Sequence, residues 1–127
     1  MSGIVGISSG KSKIIGKSLD TASAWVLGNN ETIGTIQESF NVSALDDDGT
    51  GLSQVHFIKP MHSTNYCTLL GNARWKSDTD GYVKAVNESY SRPRTTTAVA
   101  FTCTYTDGNG TNAHQDSIMF SVAVFGE

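Results

Sequence analysis

Three histidines, His56, His62 and His114, are the residues of this chain best suited to metal ligation or proton transfer. No two of them stand at i, i+2 or i, i+4, and none has a neighbouring carboxylate that would complete a facial ligand set. A metal centre would therefore need three loops to converge. His56 alternates with Val55 and Phe57 and is expected to face solvent. Asp46-Asp47-Asp48-Gly49 and Asp107-Gly108-Asn109-Gly110 have calcium-loop letters. However, Leu52 to Phe57 supply no acid where an EF-hand loop places its last ligand, so both runs read as turns. Gly6-Ile7-Ser8-Ser9-Gly10 has the letters of a nucleophile elbow but no helical pattern behind it. The best carboxylate pair for glycoside hydrolysis, Asp78 and Asp80, sits in a turn. The chain is accordingly read as a non-enzyme, with no catalytic, metal-binding or cofactor-binding residues and no cofactor.

Aromatic residues in irregular, polar segments offer another chemistry. They stack on the apolar faces of sugar rings while Asn, Asp and Thr supply hydrogen bonds. Trp75, Tyr82 and Tyr90, with Arg74 alongside, are the candidate receptor or glycan contacts, Trp75 having a core plug as its alternative role. Ser91-Arg92-Pro93-Arg94 reads as an exposed basic loop suited to a neighbouring chain or an acidic surface.

The elements that must position these residues are strands. Ala24 to Leu27 ends at a Gly28-Asn29-Asn30 turn, and Thr32 to Ser43 places Ile36, Phe40 and Val42 near one face. Asp46 to Gly51 is a turn cluster, after which Leu52 to Ile58 resumes, so Ser39 to Ile58 reads as a hairpin. Pro60 stops that strand. Tyr66 to Gly71, Ala73 to Trp75 and Tyr82 to Val86 follow, with a turn at Ser77 to Gly81. The clearest alternation runs through Thr97, Val99, Phe101, Cys103 and Tyr105, and again through Ile118, Phe120, Val122 and Val124, with a wide loop at Asp107 to Asn112. No eleven-residue window has helical spacing. The expectation is an all-β domain of about seven to nine short strands, a β-sandwich or jelly-roll-like fold. The apolar strand Val122 to Phe125 should be central or covered by a neighbour, because an exposed apolar edge invites aggregation.

Composition agrees. Charged residues are 17% of the 127, below the usual quarter, and the shortfall is filled by Gly, Ser, Thr and Asn, which favour strands joined by tight turns. A net charge of −3 disfavours a nucleic-acid partner, which calls for a basic face. No stretch approaches the roughly 18 apolar residues of a membrane span, and the opening residues lack the apolar run of a secretory signal. Membrane insertion is not expected, and the four Asn-X-Ser/Thr sequons at Asn30, Asn41, Asn87 and Asn109 are set aside. Cys67 and Cys103 read as small buried thiols, with a disulfide as the alternative.

The first 20 residues differ from the rest. Ser2-Gly-Ile-Val-Gly6-Ile-Ser8 is echoed ten residues later by Ser12-Lys-Ile-Ile-Gly16-Lys-Ser18. Two such units cannot bury a core alone. They can lie along another protein's surface, with Ile4, Val5, Ile14 and Ile15 filling its grooves; a leader with accidental similarity is the alternative. Residues 1–20 are thus an extended N-terminal arm and 21–127 the all-β domain.

Ala24-Trp25, Ile36 to Leu45, Asp48-Gly-Thr-Gly51, Val55-His-Phe57, Pro60-Met61, Asn65-Tyr66-Cys67 and Val122 to Gly126, in this order, resemble a family of small structural proteins and fibre domains of tailed phages, common in marine and cyanobacterial phages. The resemblance spans about residues 22–127 and carries over no catalytic residue. It implies a β-rich appendage of the virion, usually a homotrimer, assembled in the host cytoplasm. The arm would dock on other virion proteins of the tail, head or connector, and the domain would present itself for attachment to a host surface glycan or protein. A capsid decoration protein and a stand-alone carbohydrate-binding module are the alternatives. The Ile58-Lys-Pro-Met61 run and the Asp107 to Gln115 loop depart from the family pattern.

Overall fold

The computed structural model describes residues 22–31, 34–74, 83–106, 109–110 and 112–126. These form nine strands: β1 (Ala22–Asn29), β2 (Thr35–Phe40), β3 (Val42–Gly49), β4 (Leu52–Phe57), β5 (Cys67–Arg74), β6 (Val83–Glu88), β7 (Ala98–Thr106), β8 (Asn112–His114) and β9 (Met119–Phe125). They make a β-sandwich in which every pairing is antiparallel. Sheet A has the order β2-β1-β9-β5 and sheet B the order β3-β4-β7-β6, with β8 added along β7. The expected all-β sandwich is what the chain adopts. The arm and its Ile4, Val5, Ile14 and Ile15 lie outside the described residues.

The core forms where the alternation of both sheets converges. Val99, Phe101 and Cys103 of β7 and Phe120, Val122 and Val124 of β9 are buried, as their spacing predicts, facing Ala24 and Val26 of β1 and Val55 and Phe57 of β4. Strand β9 lies between β1 and β5, so both its edges are hydrogen-bonded within the sheet and need no neighbouring subunit.

Three departures from the sequence reading have local causes. The expected continuous strand over Thr32–Ser43 breaks at Asn41, which takes φ 55° and passes the chain from sheet A to sheet B. That corner reverses the phase of the alternation, so Phe40 is 54% exposed while Val42 is buried. Asn41 tolerates the left-handed backbone and fixes it with its amide: Nδ2 donates to Ser23 O (3.0 Å) and Lys59 O (3.1 Å), and Oδ1 accepts from Lys59 N (2.7 Å). Second, the acidic run expected as a turn continues β3. Asp46 pairs with Gln54 and Asp47 with Ser53, and the reversal falls at Gly49 to Gly51, whose glycines take φ 124° and 67°. The reading of Tyr66–Gly71 and Ala73–Trp75 as separate segments is likewise replaced by the single strand β5. Third, Cys67 is exposed, not buried; it pairs with Phe125 on the phase of Leu69, whose side chain points out of the sandwich. Both cysteines are free thiols.

Replacing Asn41 by glycine keeps the backbone conformation but removes all three bonds. It should lower the urea midpoint by the equivalent of about 1–2 kcal/mol with an unchanged slope. Asn41→Ala should cost about 1 kcal/mol more, from backbone strain at positive φ.

Candidate functional site

Two surfaces stand out among the described residues: a loop carrying an exposed tyrosine, and the outer face of sheet A. The loop, residues 89–97, joins β6 to β7. Tyr90 at its turn is fully exposed. The loop is nonetheless pinned along its length. Ser89 N donates to Ala100 O (2.9 Å), Met61 N to Thr96 O (2.8 Å) and Phe57 N to Thr97 O (2.8 Å). Thr95 Oγ1 accepts from the Ala98 N–H (3.0 Å) and the Thr97 N–H (3.2 Å).

Beneath the loop lies Tyr66, just before β5. It is buried edge-on to Phe57, with centroids 5.9 Å apart at 83°, and its hydroxyl reaches the carbonyls of Thr95 (2.9 Å) and Ala98 (3.1 Å). Arg94 lies over the Tyr66 ring at 4.9 Å and donates to the Tyr66 carbonyl and to the Glu88 carboxylate, so the guanidinium ties the loop to β5 and β6. Arg92 extends to Asp48 near the end of β3. The basic loop expected from Ser91 to Arg94 is thus neutralised within the chain. Both arginines serve its architecture, which charge spacing alone could not foresee because their acids lie six and 44 residues away.

A recess of about 70 Å³ opens beside the loop, lined by Leu52, Ser53, Ser89, Ser91, Arg92, Ala100 and Phe101. Small-molecule sites run to several hundred Å³, so this recess admits a hydroxyl or a methyl group but not a ring. Tyr90 stands between two of the lining residues, Ser89 and Ser91, without lining the recess itself.

The other predicted contacts are not assembled around Tyr90. Arg74 ends β5, paired with Met119, at an edge of sheet A, whereas Tyr90 follows β6 of sheet B. Trp75 and Tyr82 lie outside the described residues. The histidines stay apart among the described residues, and no group of three or more His, Cys, Asp or Glu could hold a metal there. His56 does find a carboxylate that linear spacing hides: the β3–β4 hairpin brings its Nε2 to 2.8 Å from Asp46 Oδ2. This is an exposed cross-strand pair of small energetic weight.

The outer face of sheet A was not anticipated. Strand register aligns Phe40 of β2, Trp25 of β1, Ala123 of β9 and Leu69 of β5 in one row. Phe40 and Leu69 are more than half exposed. Leu27 and Phe125 continue the apolar surface on the rows to either side. Such a row is invisible in the linear sequence, because its members are drawn from four strands.

Two buried groups set a pH limit on this architecture. Burial pushes the Tyr66 phenol up to about 12, partly opposed by the Arg94 charge and reinforced by Glu88. Burial likewise pushes the Cys103 thiol up to about 12, with the Asn30 hydrogen bond opposing and Asp116 reinforcing. Each group stays protonated in the folded chain at a pH where the unfolded chain has released its proton. The associated stability is therefore complete below about pH 9 and is lost as pH rises from there to about 12. Urea midpoints should fall across that window, and Tyr66→Phe should make the fall shallower above pH 10, leaving the part due to Cys103, at a fixed cost from the lost hydroxyl bonds.

No protein-family model, curated protein or solved structure matches this chain.

Proposed function

We propose that this chain is a structural component of a tailed-phage virion: a trimeric appendage whose N-terminal arm docks on the particle and whose β-sandwich serves host attachment. The observation that carries the reading is the pair of surfaces the sandwich presents. An apolar row across sheet A has Phe40 and Leu69 more than half exposed at its two ends, although the core among the described residues is already closed. Contiguous exposed apolar surface of this kind marks association sites. Tyr90 is fully exposed on a pinned loop, which limits the ordering cost of a surface contact. The motifs running in order from Ala24 to Gly126 add their resemblance to phage fibre domains.

In this reading Tyr90 stacks on a sugar or apolar group of the host surface, while the hydroxyls of Ser89 and Ser91, bonded to each other (3.1 Å), have one proton left to donate at the recess. Tyr90→Ala should leave the unfolding midpoint unchanged, since the side chain is fully exposed, and lower the adsorption rate of particles carrying it by at least tenfold. Unchanged adsorption would remove the loop from the recognition surface. Deleting residues 1–20 should leave the sandwich folded by circular dichroism but absent from purified particles; incorporation of the shortened chain would reject the docking arm.

A capsid decoration protein is the second reading, favoured by the broad outer face of sheet A, which suits lying against a lattice. Particles lacking the chain separate the two. Normal adsorption with fragile heads indicates decoration, whereas sound heads with lost adsorption indicate an attachment appendage.

A further inference from the structure

We propose that the outer face of sheet A is the seat of the N-terminal segment of a second copy of this chain, so that neighbouring subunits are joined by exchanged arms. The proposal rests on the reading of residues 1–20 as an intermolecular docking arm and identifies the surface that receives it.

The receiving surface is formed by Phe40, Trp25, Ala123 and Leu69 in one row, with Leu27 and Phe125 beside it. Strand spacing of about 4.8 Å makes that row about 14 Å wide, enough for an extended segment and its side chains. Glu38, opposite Leu27, is a carboxylate on the β2 edge strand of this sheet.

The segment has matching chemistry. Ile4, Val5, Ile14 and Ile15 are β-branched apolar residues that gain by being withdrawn from water. Charge favours an arm meeting a domain over two domains meeting, without singling out a face. Residues 1–21 carry Lys11, Lys13 and Lys17 against Asp20, a net +2, while the remaining 106 residues carry six basic and eleven acidic side chains, a net −5. A cationic arm is attracted to an anionic domain, whereas two such domains meeting face to face repel.

Length and point of departure allow exchange. The segment enters β1 at Ala22, which pairs with Phe125, itself paired with Cys67, so it starts at one end of the receiving sheet. Twenty-one extended residues reach about 70 Å, several times the roughly 13 Å radius of gyration of a domain this size. The arm can therefore leave its own sandwich and lie on the next. Such a contact is heterologous and closes into a ring, a trimer included, when the rotation between copies permits.

Cys67 provides the test, because it is exposed on this sheet while Cys103 is buried. Ile14→Cys is introduced into the full chain, isotopically light and heavy chains are mixed and equilibrated, and mild oxidation is followed by non-reducing electrophoresis and peptide mass spectrometry. The expected result is a disulfide between the introduced thiol and Cys67 of a different copy, seen as a covalent ladder with light–heavy peptide pairs, and suppressed by Leu69→Lys. A disulfide confined to single chains would overturn exchange in favour of an arm lying on its own sandwich. Cys67-to-Cys67 links in the parent chain would show instead that the face pairs with itself. Absence of any disulfide would also overturn the proposal.

A second readout needs no trapping. Reaction of Cys67 with a thiol reagent should be at least fivefold faster in the full-length double variant Ile14→Asp/Ile15→Asp than in the parent; equal rates would mean the face is not covered by this segment. Particle incorporation separates this inference from the reading beneath it. If deletion of residues 1–20 abolishes incorporation while trapping fails, the arm docks on a different virion protein.

Discussion

Phe120→Ala should destabilise the sandwich by about 4 kcal/mol, the largest effect expected of a single substitution here. Phe120 is wholly buried and its ring meets Phe101 at 4.8 Å and 50°, joining the central strand of sheet A to β7 of sheet B. On its far side the ring closes on Gly28: a methyl group there would lie 2.7 Å from Phe120 Cζ and 3.0 Å from Leu45 Cδ2. With a bare glycine as one wall, the site has few atoms free to move into the space the ring leaves, which places the loss well inside the 3–5 kcal/mol range for such truncations. At the usual entropy of unfolding, 127 residues would lose about 15 °C in Tm. Gly28→Ala alone should cost about 1–3 kcal/mol by overpacking, and less in the Phe120→Ala background, where the clash with the ring is gone. Thermal unfolding of the two single variants and the double variant checks both statements; additive costs would show that the two sites are not in contact.

Asn30→Ala comes next, at about 3 kcal/mol. Asn30 is completely buried between the ends of the sheets. Its Oδ1 accepts from Ser117 N (2.6 Å), its Nδ2 donates to Ser53 Oγ (2.9 Å) and lies 4.0 Å from Cys103 Sγ, and its own N–H donates to Ser117 O (3.1 Å). Alanine keeps the backbone bond but deprives buried groups of Ser117 and Ser53 of their partner, at about 1–3 kcal/mol for each group left unsatisfied. Asn30→Asp distinguishes hydrogen bonding from volume. It retains an acceptor for Ser117 but, when ionised, has no donor for Ser53 and buries a charge, so its folded form holds the proton above the pH at which the unfolded chain releases it. The variant should therefore be most stable near pH 4 and weaken as pH rises, checked by urea midpoints at pH 4 and pH 7. The same burial bears on the Asn30 sequon, whose amide is unavailable to a glycosyl donor in the folded chain.

How far the sequence reaches is clearest at particular residues. Val99, Phe101 and Cys103, and Phe120, Val122 and Val124, were legible because strand alternation is local; the burial of Ala98 and Ala100 on the opposite phase of β7 was not, because it depends on what covers that face. The corner at Asn41 was not, because an asparagine in an apolar-alternating stretch gives no local sign that the chain changes sheets there. The acidic β3 residues read as a turn because Asp disfavours strands in isolation, whereas cross-strand partners on β4 decide the outcome. Among the candidate contacts, Tyr90 was legible as an aromatic in a polar segment. The Tyr66–Arg94–Glu88 tie that holds its loop was not, since it depends on packing between residues up to 28 positions apart. The sheet A row is the extreme case, since no linear pattern connects Phe40, Trp25, Ala123 and Leu69 until register brings them together.

The position of β9 has a consequence for biosynthesis. Strands β1 and β5 both pair with β9, so the ribosome has made 89 residues after β1 before β9 begins. Sheet B carries no such delay, since its strands run from β3 to β8 and all precede β9 in the chain. The nascent polypeptide should therefore acquire sheet B first, while β1 and β5 wait with unpaired edges, a state open to chaperones and to pairing between adjacent nascent chains. Synthesis that stalls before residue 119 leaves sheet A without its centre, so the molecule becomes protease-resistant only once translation has passed the last described strand.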